Sequence, residues 1–550
     1  MTTVKTSEFQ TVLDKLFVVF FALFFLALAY NHFQIITHSM PLDAIEAAIP
    51  TITHTIASGE NPYAVENQPA RASVYPVLYN IVVAPFTLAL ANTLELHRAI
   101  NGLFIVACCM LVFYATRRAG GTSENSFAGA VLLYAGLLFH STPIASPNGL
   151  GLFLFLASII IPWRYTFSSG SLFAALLLGL AAFYTKQYFI ASIGYVSLYL
   201  FLAVSKKKAV TFGLASFFLT LVSLFFVNYT SPYFIDNTIF AQIYAAAAIG
   251  SNDTTVNQLL EYFWINSPLL IVLAWIFITS YASTTTIHRI NDDERLEIHS
   301  IINWNGPLFR RAPSYFWLCF FCSLAIIVLV IGRNPANHMT YLLQLMSPFL
   351  IIGIFSRISD SIQSKWLCQL LLIATFCNSY ATLTHDFSFD EDKWNRLRGL
   401  VLESEKTYAP ALLATEILGS DGEIYQNSHT PYFAFAQVKP VIFAKDDPDN
   451  TIEAVWEAYV ENINGKIERQ EFDLIILDQW THLPVAMANL RNSISNKTFL
   501  MSHLKHSSLN DAARLKNHYR KAEVIALPMD KRPGGGQLVF QIWKPIRDSK

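Results

Sequence analysis

Between residue 17 and about residue 384 the chain keeps returning to apolar runs long enough to cross the roughly 30 Å hydrocarbon core of a bilayer. These runs fall near 17–36, 99–116, 125–143, 149–163, 170–186, 188–204, 209–228, 264–284, 314–332, 341–357 and 366–384. Only 14% of the 550 residues are charged, where a soluble chain carries about 25%. Past residue 385 the composition changes: 20 of the 38 Lys and Arg lie in the last 165 residues. The expected fold is a polytopic α-helical membrane protein of about 11 transmembrane helices, residues 1–385, with a C-terminal soluble α/β domain, residues 386–550. The opening MTTVKTSEFQTVLDKLF leads into an apolar run longer than that of a signal peptide, so it is expected to stay as the first span. A formal charge of −1 lacks the basic surplus of a nucleic-acid binder.

Charge then assigns the sides. The segment 75–91, YPVLYNIVVAPFTLALA, is apolar but carries Pro76 and Pro85, which remove backbone donors and favour a kinked or interfacial helix. If it does not cross and the N-terminus is cytoplasmic, 14 Lys and Arg lie inside against 4 outside before residue 386. If it crosses, the count becomes 5 inside against 13 outside. The positive-inside rule selects the first arrangement. It gives a large first outer loop, 37–98, and places the tail outside as well.

The tail reads as α/β. EFDLIILDQW suits a buried strand, AEVIALP and QLVFQIW a hairpin, and TIEAVWEAYVENI and YAPALLATEILG have helical spacing. Gly534-Gly535-Gly536 lacks the Lys-Ser/Thr of a phosphate loop and is read as a turn. All six cysteines fall in apolar runs, and Cys319-x-x-Cys322 has no second pair to complete a zinc site, so no metal site is assigned.

The ionisable residues gather at the outer ends of the spans. Asp43 and Glu46 follow the first span in PLDAIEAAIP, three residues apart, a spacing that puts both on one side of a short helix. That helix, AIEAAIPTITHTIASG, is expected to lie along the membrane surface and to end at Gly59. Arg71 and Tyr75 belong to the same outer loop. Lys186 and Gln187 lie in FYTKQYF, and Arg333, Asn337 and His338 in GRNPANHMTY, two short outer loops. Cations beside a carboxylate at this level suit an anionic lipid head group, and the carboxylate suits a general base. Each residue also has a plainer role: Asp43 as a helix cap, Glu46 as a solvated face residue, Lys186 snorkelling to the interface, and Arg333 and His338 as loop structure.

The ordered series LDAIE, IASGENPY, VYPVLY, RAINGLF, ATRRAGG, TKQYF and NHMTYLLQLMSPFL resembles the GT-C superfamily of membrane glycosyltransferases, most closely its bacterial branch similar to dolichyl-phosphate-mannose-protein mannosyltransferases. The resemblance covers most of residues 15–360. It implies a bacterial inner-membrane enzyme that takes a sugar from a polyprenyl-phosphate-linked donor and passes it to a lipid, glycan or protein acceptor on the outer face, with inversion. The family's first-loop acid maps onto Asp43 as general base, with Glu46 the lesser candidate. Lys186, Gln187, Arg333, His338, Arg71, Tyr75 and Asn148 become donor-phosphate or substrate contacts. Family members often carry a second acid in the next outer loop. Here that loop is HSTPIASPNGLG, with Asn148 in its place. Asn is neither a base nor a strong cation ligand, so no cofactor is assigned and a divalent cation is placed in doubt.

Two other classes compete with the enzyme. A transporter or flippase of lipid-linked glycans should hold ionisable residues at mid-membrane and show related halves. A non-catalytic assembly subunit of a glycan-synthesis complex would use the outer tail to recruit a partner.

Overall fold

The computed structural model describes residues 2–42, 46–139, 142–243, 252–275, 314–329, 338–358, 365–383, 389–419, 422–425, 452–480, 512–528 and 537–546. Helix α1 spans Thr2–Thr37. From Leu16 to Ala29 it carries no polar side chain, and it turns Leu23, Leu26 and Phe33 outward, each more than 60% exposed. A helix with no polar face has no side to give to water, so this surface fits lipid. Helix α2 is Ala48–Ala57 and α3 is Leu78–Leu90. Next come α4 (Leu94–Arg118), α5 (Ser123–Leu137), α6 (Asn148–Arg164), α7 (Ser169–Thr185) and α8 (Ala191–Tyr199), which runs on into a π-helical turn over Leu200–Val204. Helix α9 (Lys206–Thr230) starts with three lysines, then exposes Phe217, Phe218, Phe225 and Phe226. Four stretches, Thr11–Thr37, Leu94–Arg118, Gln187–Val204 and Lys206–Thr230, are each long and apolar enough to cross a membrane.

Local chemistry sets the helix ends. The Thr93 hydroxyl accepts from Leu96 N at 3.3 Å to start α4, and Thr122 accepts from Asn125 N at 3.2 Å to start α5. Between these two helices the chain turns through Gly120, at φ +113°, where a side chain would be strained. Helix α10 (Asn252–Ile265) precedes the 264–284 run, whose described part is helical again over 267–275. Helices α11 (Ser314–Leu329), α12 (His338–Leu345), α13 (Ser347–Phe355) and α14 (Lys365–Leu383) fill the described parts of the last three apolar runs. One apolar core joins most of these helices. Phe20, Phe21 and Phe24 of α1 meet Phe376 of α14 in ring contacts of 4.2–6.2 Å.

The first outer loop departs from expectation. Its short helix begins at Ala48, so Glu46 lies in the turn before it rather than on its face, and Asp43 lies outside the described residues. Nor does α2 rest on a surface. Ala48, Ile49, Pro50, Thr51, Ile52, Thr53 and Thr55 are all buried, and α2 packs on α3. Asn80 of α3 donates to Ile49 O at 3.0 Å and Thr53 Oγ1 at 2.9 Å, while Asn92 donates to Pro50 O at 2.8 Å. The helix does end as expected, with Gly59 at φ +77°. At about 1.5 Å per residue, the 13 residues of α3 reach about 20 Å, short of the hydrocarbon thickness.

After α15 (Glu391–Leu402) the C-terminal segment forms a four-stranded sheet: β1 (Thr407–Tyr408), β2 (Leu474–Trp480), β3 (Tyr519–Pro528) and β4 (Gln537–Pro545), in the order β1-β2-β4-β3. Strands β3 and β4 are antiparallel, from Tyr519 opposite Pro545 to Pro528 opposite Gln537, the hairpin register that the sequence suggests. Gly534–Gly536 lie outside the described residues. Alternation gives the sheet two apolar faces. Leu474, Ile476, Phe540 and Ile542 meet α15 and α16 (Ala414–Gly419) on one side. Ile475 and Trp543 meet α17 (Ile452–Glu468) and α18 (Ala512–His518) on the other. The first of these cores also takes in Met40 and Ala47 from the first outer loop.

Candidate functional site

Among the described residues the most committed polar group is Arg98, one turn into α4 and fully buried. Its Nε donates to Glu46 Oε1 at 2.5 Å and its Nη2 to Glu46 Oε2 at 2.8 Å. The remaining donors go to carbonyls at the end of α1 and just beyond: Ile35 at 3.2 Å, Met40 at 2.9 Å, and His38. Glu46 is equally buried and accepts two amides besides, from Leu42 N and Ala145 N, both at 2.7 Å. Each oxygen of Glu46 therefore has a guanidinium donor and a backbone donor. A buried ion pair is tolerable only when its remaining valences are met in this way. The clasp brackets residues 41–45, because Met40 O and the Glu46 carboxylate hang on one guanidinium.

Ala145 carries the clasp into the second outer loop, which is buried from Thr142 to Asn148. Asn101, one turn beyond Arg98, holds this loop. Its Nδ2 donates to Thr142 O at 2.5 Å and Ile144 O at 2.8 Å, and its Oδ1 accepts from Gly149 N at 2.8 Å. A Cβ on Gly149 would come within 2.7 Å of Asn101 O, so the approach needs glycine. At the end of the loop, Asn148 Oδ1 accepts from Lys186 Nζ at 2.8 Å.

Lys186 is 5% exposed. Its ammonium sits 4.9 Å from the ring of Tyr75, 5.4 Å from Tyr188 and 5.7 Å from Tyr341, within cation–π range of all three. The Tyr188 hydroxyl bonds Gln344 Oε1, and Gln344 Nε2 reaches Thr142 Oγ1 at 3.2 Å, closing the ring of contacts on the same loop. A buried cation among polarisable rings and an amide oxygen is a place where an anion gains electrostatic energy with little competition from water.

The structure thus joins Tyr75, Asn148 and Lys186, and connects them to Glu46 through the 142–148 loop. Gln187 braces the site: Nε2 donates to Val74 O at 2.9 Å and to Thr238 O, tying the first loop to the turn after α9. Arg71 stands apart, paired at 2.8 Å with Glu60 while both stay partly exposed. The backbone of His338 opens α12, and Arg333, like Asp43, lies outside the described residues. Arg98 and Asn101 had no role in the sequence analysis beyond one loop charge. Their signal was there in RAINGLF, an Arg and an Asn one turn apart at the mouth of an apolar span, where polar side chains need a buried partner. Among the described residues no three His, Cys, Asp or Glu side chains cluster to hold a metal. Cys319 is buried and Cys322 half-buried, both as free thiols in the helix packing.

Fold and site define a mostly helical membrane protein whose buried polar cluster sits where its first helix leaves the apolar core. No family model matches the chain, and no curated protein sequence matches it. Among solved structures the chain is similar to ArnT from Cupriavidus metallidurans in its crystal structure bound to undecaprenyl phosphate. Identity is 13%, with 95% of this chain and 97% of that chain covered, at a TM-score of 0.42.

Proposed function

We propose that the protein is a glycosyltransferase of the bacterial inner membrane. It would take a sugar from a polyprenyl-phosphate-linked donor and pass it to a lipid, glycan or protein acceptor on the outer face. The observation that carries this reading is the buried Lys186 ammonium, held by Asn148 and ringed by Tyr75, Tyr188 and Tyr341, one short loop away from the clasped turn that flanks Asp43. The donor phosphate pairs with Lys186. Asp43 takes the proton of the acceptor hydroxyl or amine as general base. The freed electron pair attacks the anomeric carbon, and the carbon–oxygen bond to phosphate breaks. Its electrons leave on the phosphate, whose charge Lys186 offsets. Attack opposite the leaving group inverts the sugar. Glu46, committed to Arg98 and two amides, holds the turn and leaves proton transfer to Asp43. A divalent cation at Asn148 would meet the Lys186 ammonium 2.8 Å from the amide oxygen, so the reaction is written without one.

The test is single-turnover sugar transfer by purified protein in nanodiscs carrying polyprenyl-phosphate donor. Asp43→Asn should lower the rate by about 100-fold or more while donor binding persists, and Lys186→Met should weaken donor binding. Full transfer by Asp43→Asn would remove the proposed base. Donor binding untouched by Lys186→Met would remove the phosphate site.

A further inference from the structure

The core on one face of the C-terminal sheet is completed by residues from outside the C-terminal segment. Met40, 2% exposed, and Ala47, fully buried, sit in the cluster formed by Trp394, Leu413, Ile417 and Phe540. They lie on either side of residues 41–46 in the chain, the last of which, Glu46, hangs on Arg98. The His38 ring meets Phe389 at 4.7 Å, and α16 packs on α2. A second contact lies elsewhere on the same segment: Val455 and Trp456 of α17 pack on Ala72, Tyr233 and Ala241. Ala72 is three residues from Tyr75. Tyr233 and Ala241 flank Thr238, whose carbonyl accepts from Gln187.

We propose that the C-terminal segment is a positioning element of the transfer site, holding Met40 and Ala47 by apolar contact as Arg98 holds the Met40 carbonyl and Glu46 by polar contact. The transfer part of this inference rests on the function proposed above; the holding part does not. A domain attached only for recruitment closes its own core and meets its neighbour through a polar, mobile interface. Here the first loop supplies part of the core, so a shift of the sheet moves the turn with it. Small displacements at a reacting centre are costly in rate, with about 1 Å able to cost 100-fold.

The experiment compares full-length Ile417→Ala, Ile417→Leu and Leu515→Ala in nanodiscs. Leu515 belongs to the core on the opposite sheet face, which contains no first-loop residue. Two readouts are taken: hydrogen–deuterium exchange of peptides covering 38–42 and 46–57, and donor kinetics. For Ile417→Ala, exchange in these peptides should rise and kcat should fall by about tenfold, with the KM for donor within about twofold of wild type. Ile417→Leu should restore both, and Leu515→Ala should leave exchange in 38–57 unchanged. Exchange that rises in the C-terminal segment alone under Ile417→Ala overturns the proposal, as does a rise in 38–57 with kcat unchanged. If the wild type transfers no sugar but exchange in 38–57 follows Ile417, the holding is upheld and the glycosyltransferase reading fails. If Ile417→Ala does not fold, Ile417→Val replaces it with the same readouts.

Discussion

Losing Arg98 should be felt further than losing any other side chain in the described structure. Arg98→Ala leaves the Glu46 carboxylate buried with only two amides and frees three carbonyls at the end of α1 and just beyond it. Breaking one side of a buried ion pair costs about 3–5 kcal/mol, so the variant should melt well below wild type when unfolding in detergent is followed by tryptophan fluorescence. Arg98→Lys should recover only part of this loss, since one ammonium cannot span both carboxylate oxygens and the carbonyls. Asp236 gives a pH test. It lies after α9, is 5% exposed, and burial raises its pKa from 3.8 to about 6. The folded state therefore binds a proton more tightly than the unfolded chain. Its contribution to stability is full below pH 3.8 and is lost as pH rises to about 6. Asp236→Asn should raise the melting temperature at pH 7 and flatten the profile between pH 4 and 6. An unchanged profile would mean the carboxyl is not the titrating group.

At the scale of elements, the 142–149 loop should behave as a fixed strut. Gly149→Ala forces a methyl against Asn101 O and breaks the three bonds that Asn101 makes. Overpacking of this kind costs about 1–3 kcal/mol, and Lys186 should lose its Asn148 partner with the loop. Melting together with donor binding checks this: both should fall, whereas Gly170→Ala, with open space at its Cβ position, should change neither. The elements themselves were legible from pattern, because hydropathy and strand alternation are local signals. β2 and the β3–β4 pair sit where their apolar runs predict. Helix α2 starts later than the spacing of Asp43 and Glu46 suggests, and Pro50 is the reason. Proline has no N–H to bond the carbonyl four residues back and is tolerated in a first turn, so Pro50 places the helix start after Glu46. The Arg98–Glu46 clasp was not legible at all, since it joins residues 52 apart in the chain and no local period encodes such a pair. The sequence groups Tyr75, Asn148 and Lys186 with Gln187, Arg71, Arg333 and His338 as substrate contacts, without their geometry. Only the fold shows that the three rings and the amide converge on one ammonium.

For the whole molecule, the shared core between the first loop and the C-terminal sheet constrains topology. Segments that pack into one apolar core lie on one side of a bilayer, so the chain must cross an even number of times between Ala47 and Trp394, both in that core. Ten of the eleven apolar stretches lie between them. If all ten cross, the number is even, and a crossing by α3 as well would make it odd. The expectation from the positive-inside count has the same parity and puts the loop and the C-terminal segment outside. Membrane-impermeant maleimide on intact spheroplasts tests this in a Cys377→Ser background, which removes the one exposed thiol. Glu60→Cys in the first loop and Arg396→Cys on α15, both at accessible positions, should be labelled from outside. Lys207→Cys at the start of α9 should be labelled only after permeabilisation. Labelling of position 60 but not 396 in spheroplasts would place the two on opposite sides, and the shared core could then not form.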